Sequence, residues 1–314
     1  KGVLMSNYFK TIDEQINILK SRGLVIDNED YARDILLRYN YYKIINGTYK
    51  FLIDKKTNMY KKGTKFNDLV DLHEFDKELK KILIAAMLEI ERIARSIISY
   101  KFVEKFQEPG EYLNRKNFDC KDLELVNINI ERMKESIKKF EEEKNYNRSI
   151  KYYLSKYNSV PFWFIINFMT FGNIINIYET FDFSLKEKIA DEFQKFVEEN
   201  IEKNIEGHLT PSQLESFLKN AKDIRNICAH DNLILDFEFN PIEYFSAIHE
   251  VYGINQTYKR NRLFDTVVVL QALLPKKYYV ETEMKIKYEV EKLRQNIDKS
   301  VFDKVMNQVG YKRG

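Results

Sequence analysis

From Leu69 onward, apolar residues recur at steps of three and four without a break. Positions 69, 72, 76, 79, 83, 86, 90, 93 and 97 read Leu, Leu, Asp, Leu, Leu, Ala, Ile, Ile and Ile. That spacing places every member on one face of an α-helix. It predicts a long helix with a heptad-type seam and a single polar member, Asp76. Ile84, Met87, Ala94 and Ile98 form a second stripe on the same stretch. A helix apolar on two sides is predicted to be central and packed on more than one face. Its polar intruders, Glu91 and Arg95, stand at i and i+4 and so share a side.

Shorter helical patterns flank it. "TIDEQINILKSRG" carries Thr11 and Glu14 at capping-box spacing, Ile12, Ile16 and Leu19 on one face, and Gly23 as a stop. Asp27 or Asn28 caps the next pattern, and a charged amphipathic helix is predicted from about Leu123 to Lys144. Pro161 suits a first helical turn and Gly172 a break between two short apolar helices. Ser184 with Glu187 reads as a capping box, and Thr210 with Gln213 opens the helix that ends in "RNICAH", residues 225–230. Helices are expected near 242–252, 257–273, 279–297 and 300–308, and "LILDFEF" is the one strand-like stretch. The reading is all-α: an N-terminal helical region (1–65), a helical core (66–235) and C-terminal helices packed on it (236–314).

Composition narrows the function. With 44% hydrophobic and 14% aromatic residues the chain is too apolar for disorder, and 10 glycines and 5 prolines are few for a turn-rich β fold. A net charge of +3 provides no global basic field, so a polyanion partner has to be held by local patches. Lys55, Lys56, Lys61, Lys62 and Lys65 form one candidate patch, and Lys259, Arg260 and Arg262 another. Tyrosines are interleaved in both; solvated loops and RNA-backbone contacts are equally good readings. Cys120 and Cys228 are too few for a disulfide framework or a four-ligand zinc site, and His73, His208 and His249 lack ligand spacing. No metal or cofactor is expected. A reducing cytoplasm fits, and no apolar run reaches the length of a membrane span.

"RNICAH" is the stretch with chemistry in it. An arginine, four residues and a histidine is a weak signal alone. With thirteen arginines and four histidines, roughly 0.2 such pairs arise by chance. The plain alternative is a histidine meeting the last carbonyls of its helix and an arginine paired with an acid. Asn226 and His230, however, are i and i+4, and Arg225 is one residue round and long enough to reach the same spot. An imidazole suits general acid or base work, a guanidinium holds a phosphate and its developing charge, and an amide orients either. These parts suffice to cut a phosphodiester if the substrate brings its own nucleophile. RNA does, in its 2′-hydroxyl. Cys228 between them reads as a small packing residue.

R-N-x-x-x-H near a helix end in an all-α chain resembles the HEPN superfamily of metal-independent ribonucleases. The likeness runs wider. "TIDEQINILKSRGLVIDNEDYARDILLRYNYYKI", "GTKFNDLVDLHEFDKELKKILIAAMLEIERIARSII", "VPFWFIINFMTFGNIINIYE" and "IRNICAHDNLI" resemble, in order, the blocks of the Abi-like (AbiD/AbiF) abortive-infection proteins of bacteria. The Trp-Asn-Arg that often follows the histidine in that family is replaced here by "DNLILDF". The resemblance implies a HEPN-like bundle and anti-phage defence by RNA cleavage at Arg225, Asn226 and His230. Glu91 and Arg95 are second-tier candidates, an internal salt bridge being the plain alternative. It also implies a site completed across a homodimer, since the chain has one clear copy of the motif. RNA is the implied partner, as substrate and, in some members, as a bound structured non-coding RNA that can hold a toxin silent. A non-catalytic RNA- or partner-binding module is the rival reading. Asp76 reads as a register device or cap partner.

Overall fold

The structure is a computed structural model that describes residues 9–142, 148–201 and 207–311, the side chains at 120, 140–142 and 148 excepted. In the N-terminal region, α1 (Ile12–Ser21) and α2 (Glu29–Tyr39) pack together, and a π-helical turn over Tyr42–Asn46 leads into α3 (Gly47–Leu52). Then comes α4 (Phe66–Lys105), forty residues long, or about 60 Å at 1.5 Å per residue. Around it are α5 (Leu123–Glu142), α6 (Arg148–Tyr157), α7 (Phe162–Ile165), α8 (Phe171–Glu179), α9 (Phe183–Asn200) and α10 (Pro211–Ala229). The C-terminal stretch adds α11 (Ser246–His249), α12 (Leu263–Val268), α13 (Lys276–Asn296) and α14 (Lys299–Val309). The fold is an all-α bundle. Among the described residues there is no strand, only two isolated backbone bridges.

Why α4 is central follows from its two stripes. Every seam position from Leu69 to Ile93 is buried, Asp76 included, and Met87, Ala94 and Ile98 of the second stripe are buried too. α13 and α10 lie along most of it, and α3, α7, α8 and α9 meet it elsewhere. One contiguous apolar core runs from Ile16 on α1 to Val309 on α14. Among the described residues no helix is long and apolar enough to cross a membrane.

The start signals hold at three places and move at two. Thr11 and Thr210 close capping boxes with Glu14 and Gln213, and Asn28 caps α2 through the Tyr31 amide. Ser184 does not cap α9. Asp182 does, accepting from the Leu185 amide at 3.1 Å, so the helix begins two residues earlier and brings Leu185 into the core. Nor does Gly172 break the apolar pair. It sits in the first turn of α8, whose cap is Thr170.

The strand-like 233–239 is irregular. No strand lies beside it, and its amides go elsewhere: Ile234 and Leu235 to Asp76, Phe239 to the carbonyl of Asn261. Helix near 257–273 begins only at Leu263, because the Arg260 guanidinium gathers the carbonyls of Asn255, Gln256 and Tyr258 into a loop. The pattern near 242–252 likewise shortens to α11 and one following turn.

Candidate functional site

α10 buries Leu214, Phe217, Leu218, Ala221, Ile224 and Ile227. With 100° between successive residues, that face turns Asn226 and His230 outward, and both are exposed. His230 is where the helix ends. Its amide still donates to the Asn226 carbonyl at 3.0 Å, and the next residue, Asp231, has φ +52° in the left-handed region. The Asp231 amide reaches the Cys228 carbonyl at 3.3 Å and the Asn232 amide reaches that of Ile227 at 3.1 Å. Those two bonds close a Schellman turn, the task usually given to glycine. Aspartate in this conformation is strained by about 1 kcal/mol.

Charge holds it there. The Asp231 carboxylate pairs with Lys43 and, at 2.6 Å, with Lys80 of α4. Lys80 is buried and pairs again with Asp76 at 2.9 Å. The other Asp76 oxygen accepts the amides of Ile234 (2.9 Å) and Leu235 (3.2 Å). The chain beyond His230 is therefore fastened to α4, and Asp76 acts as the cap of that segment.

Arg225 reaches α4 at a second place. Its Nε stands 3.6 Å from Oε2 of Glu91, a carboxylate only 3% exposed. The other Glu91 oxygen accepts from Arg95, whose same nitrogen donates to the Met169 carbonyl at 2.8 Å. One buried carboxylate thus faces two guanidiniums. Glu91 and Arg95 form the internal salt bridge that one reading expected, and the bridge extends to the motif. It is also incomplete: Glu91 Oε2, Arg225 Nε and Arg95 Nε are buried and make no protein hydrogen bond. A spacing of 3.6 Å is an ion pair without a hydrogen bond. The Arg225 side chain, about 35% exposed, is held there by attraction and not by a hydrogen bond.

Asn226 and His230 have no side-chain hydrogen bond or ion pair among the described residues. The other histidines are committed. His73 is buried against Tyr39 (ring centroids 5.4 Å apart), and His208 is held by Asp191 at 2.8 Å. His249 is fully buried with Nδ1 on the backbone of Phe245, and burial pushes its ring down to about 4. Cys228 packs against the core, where burial pushes its thiol up to about 12, out of nucleophile range.

A family model described as Abi-like protein matches residues 34–236, which is 203 of the 314 residues. The chain belongs to the Abi-like family. No curated protein and no solved structure matches it. The matched span includes all of α4 and α10, and with them every motif residue and both charged clusters.

The basic candidates of this Abi-like protein divide. Lys55, Lys56 and Lys62 are exposed, and Lys65 is exposed but pairs with Asp27 at 3.0 Å. Lys61 is half-buried. With Lys55 it bears on Lys304 of α14, whose ammonium is pushed down by burial first and by these two neighbours next. Lys259 is exposed and unpaired among the described residues. Arg260 and Arg262 are not free for a polyanion. Arg260 bonds four backbone carbonyls, that of Ile242 the fourth, and Arg262 donates to the Asn307 carbonyl. Among the described residues no three His, Cys, Asp or Glu side chains converge as a metal cluster would.

Sequence reasoning missed Lys80, Asp231 and Lys304. Only the i to i+4 spacing of Asp76 and Lys80 hinted at the first.

Proposed function

We propose that this Abi-like protein is a metal-independent endoribonuclease of the HEPN type acting in abortive-infection defence. Arg225, Asn226 and His230 are its catalytic residues. One observation carries the reading: on the last turns of α10 an amide and an imidazole stand in solvent without partners, beside an arginine tethered loosely to a buried carboxylate. Exposed polar groups bond to water that a substrate can displace, and among the described residues no protein partner competes for these two. These are left open.

In the reaction, the 2′-oxygen of a ribose attacks the adjacent phosphorus and the bond from phosphorus to the 5′-oxygen breaks. His230 takes the proton of the attacking hydroxyl or supplies one to the leaving oxygen. Arg225, kept poised by Glu91, reaches the phosphate and offsets the charge that builds on it. Asn226 holds the phosphate or the imidazole in line. The products are a 2′,3′-cyclic phosphate and a 5′-hydroxyl.

Two proton transfers accompany each cut, and the chain offers one open histidine. His73 and His249 lie in the core and His208 is paired with Asp191. A second copy of the chain, adding its own His230, supplies the missing group. That is the physical case for a site composed across a homodimer.

The test incubates cellular RNA in EDTA with the wild-type chain, His230→Ala and Arg225→Ala, and maps the product ends. Cleavage by wild type that both substitutions abolish, leaving cyclic-phosphate ends, is the expected result. Intact RNA with a wild-type chain stripped of any copurifying nucleic acid overturns the proposal in favour of a binding module, and equal cleavage by all three overturns it in favour of a contaminant.

A further inference from the structure

Two openings meet along one side of α4. The first is an aromatic cavity of about 320 Å³ walled by Phe106, Tyr112, Tyr153, Tyr157, Phe162 and Trp163. The second is a shallower groove of about 680 Å³ lined by Arg92, Arg95, Tyr100, Trp163 and Asn167. Val103, Gln107 and Trp163 border both, so the two form one track. Its polar end is Arg95, which bonds Glu91, and Glu91 faces Arg225. The track and the motif thus share one buried carboxylate, Glu91.

Its rings are open. Trp163, the only tryptophan, is 53% exposed, Tyr157 54% and Tyr100 62%. Large rings gathered on the rim of a cavity are apolar surface that something covers. The distribution of charge says what. Glu108 and Glu111 border the aromatic end, and Glu111 is engaged by Asn114 and Asn117. Carboxylates there disfavour a phosphate and suit a flat, uncharged group. Arg92 and Arg95 lie at the other end with Glu104; Arg95 is held by Glu91, while Arg92, 65% exposed and paired only with Glu89 on the surface, can exchange that weak pair for a phosphate. Asn167 donates its amide to the Trp163 carbonyl at 2.8 Å, which leaves its amide oxygen as an acceptor for a base edge.

A flat uncharged end joined to a cationic end describes a nucleotide with its base unpaired. The geometry points to a track for single-stranded RNA. Bases stack on Trp163 and Tyr100, one enters the aromatic cavity beside Tyr157, and the backbone passes Arg92 and Arg95 toward Arg225. A duplex, whose bases are stacked inside, cannot use these rings. The inference rests on the ribonuclease reading for its direction and adds the form in which substrate arrives.

The test uses the full chain carrying His230→Ala, which binds without cutting. Trp163 is the sole indole, so its fluorescence reports a base stacking on it. Titration with an unstructured RNA oligonucleotide is expected to quench it saturably. The same strand annealed to its complement binds at least ten-fold more weakly. Anisotropy of a labelled strand then follows Trp163→Ala and Tyr157→Ala, each expected to weaken binding roughly ten-fold. Both rings are half in solvent, so the melting temperature stays put. A bound strand that leaves Trp163 unquenched, duplex binding as tight as single-strand binding, or unweakened variants overturn the track. The two readings separate cleanly. RNA cut by wild type with Trp163 unmoved removes the track and keeps the ribonuclease, whereas quenching without cleavage by wild type does the reverse.

Discussion

The contact between α4 and the end of α10 holds two charged clusters built from the same parts and finished differently. Each has a buried carboxylate on α4, a cation four residues later on α4, and a third charged group from α10 or just beyond it. In one these are Asp76, Lys80 and Asp231; in the other, Glu91, Arg95 and Arg225. Fifteen residues separate them along α4, about 22 Å. In the first, both oxygens of Asp76 are used, one by Lys80 and one by two backbone amides. In the second, one oxygen of Glu91 and the Nε of each arginine go without a protein hydrogen bond. A buried ion group with all its bonds made fixes the chain. One with bonds to spare has something left to offer a substrate.

The sharpest way to break this comparison is to cut into each cluster and ask what is lost. His230→Ala and Arg225→Ala are expected to lower RNA cleavage by about 10²- to 10⁴-fold. The midpoint of His230→Ala, an exposed position, stays within about 2 °C of wild type, and that of Arg225→Ala, which leaves Glu91 with Arg95, falls by less than about 3 °C. Asp76→Ala is expected to do the opposite. It leaves Lys80 with Asp231 alone and strands two buried amides, at a cost of about 3 kcal/mol, and lowers the midpoint by about 5 °C. Thermal unfolding with a parallel cleavage assay reads both. Equal destabilisation by Arg225→Ala and Asp76→Ala would erase the distinction.

What was legible in the sequence was whatever a local pattern carries. The unbroken steps of three and four announced α4 and its burial, and Thr11 and Thr210 announced their helices. Local rules failed where two signals competed or where a distant group decided. Asp182 and Ser184 are both good caps, and the one that brings Leu185 inward wins. Residues 233–239 alternate like a strand, but Asp76, some 158 residues away, takes the first amides. Counting charge marked Arg260 and Arg262 as a patch, and no count reveals the carbonyls in front of them. Among 51 lysines and arginines only its i+4 spacing from Asp76 hints at Lys80 as a buried one. Of the candidate site, residue types and spacing were visible; the sharing of Glu91 between two arginines was not.

Histidines extend the comparison. His230 stands in solvent and His249 in the core, where burial first and Arg260 second hold its ring down to about 4, against the help of its Phe245 backbone bond. The folded state therefore keeps His249 neutral after the unfolded chain has begun to take up a proton, near 6.5. Stability is full above that pH and falls as pH drops from about 6.5 to 4, by about 3 kcal/mol in all. His73, shifted the same way by burial, adds to the slope. Urea unfolding across this range is expected to show the decline, and His249→Gln to flatten part of it. An unchanged slope in that variant would place the sensitivity elsewhere.

The smallest expected effect is the most discriminating. Glu91→Gln keeps the shape of the side chain and removes its charge. Arg95 retains the Met169 carbonyl and is partly exposed, and Arg225 makes no hydrogen bond to Glu91. The loss of stability is accordingly modest, about 1–2 kcal/mol. A merely structural Glu91 would leave cleavage per folded molecule untouched. If the carboxylate holds Arg225 poised for the phosphate, kcat falls about ten-fold with KM little changed, the mark of an interaction used in the transition state. Glu91→Asp, charged but one methylene shorter and so farther from Arg225 than the present 3.6 Å, restores stability more than rate. Separating kcat from KM in the two variants, beside their melting temperatures, decides whether the spare valence at Glu91 serves the chemistry or is only an imperfect salt bridge.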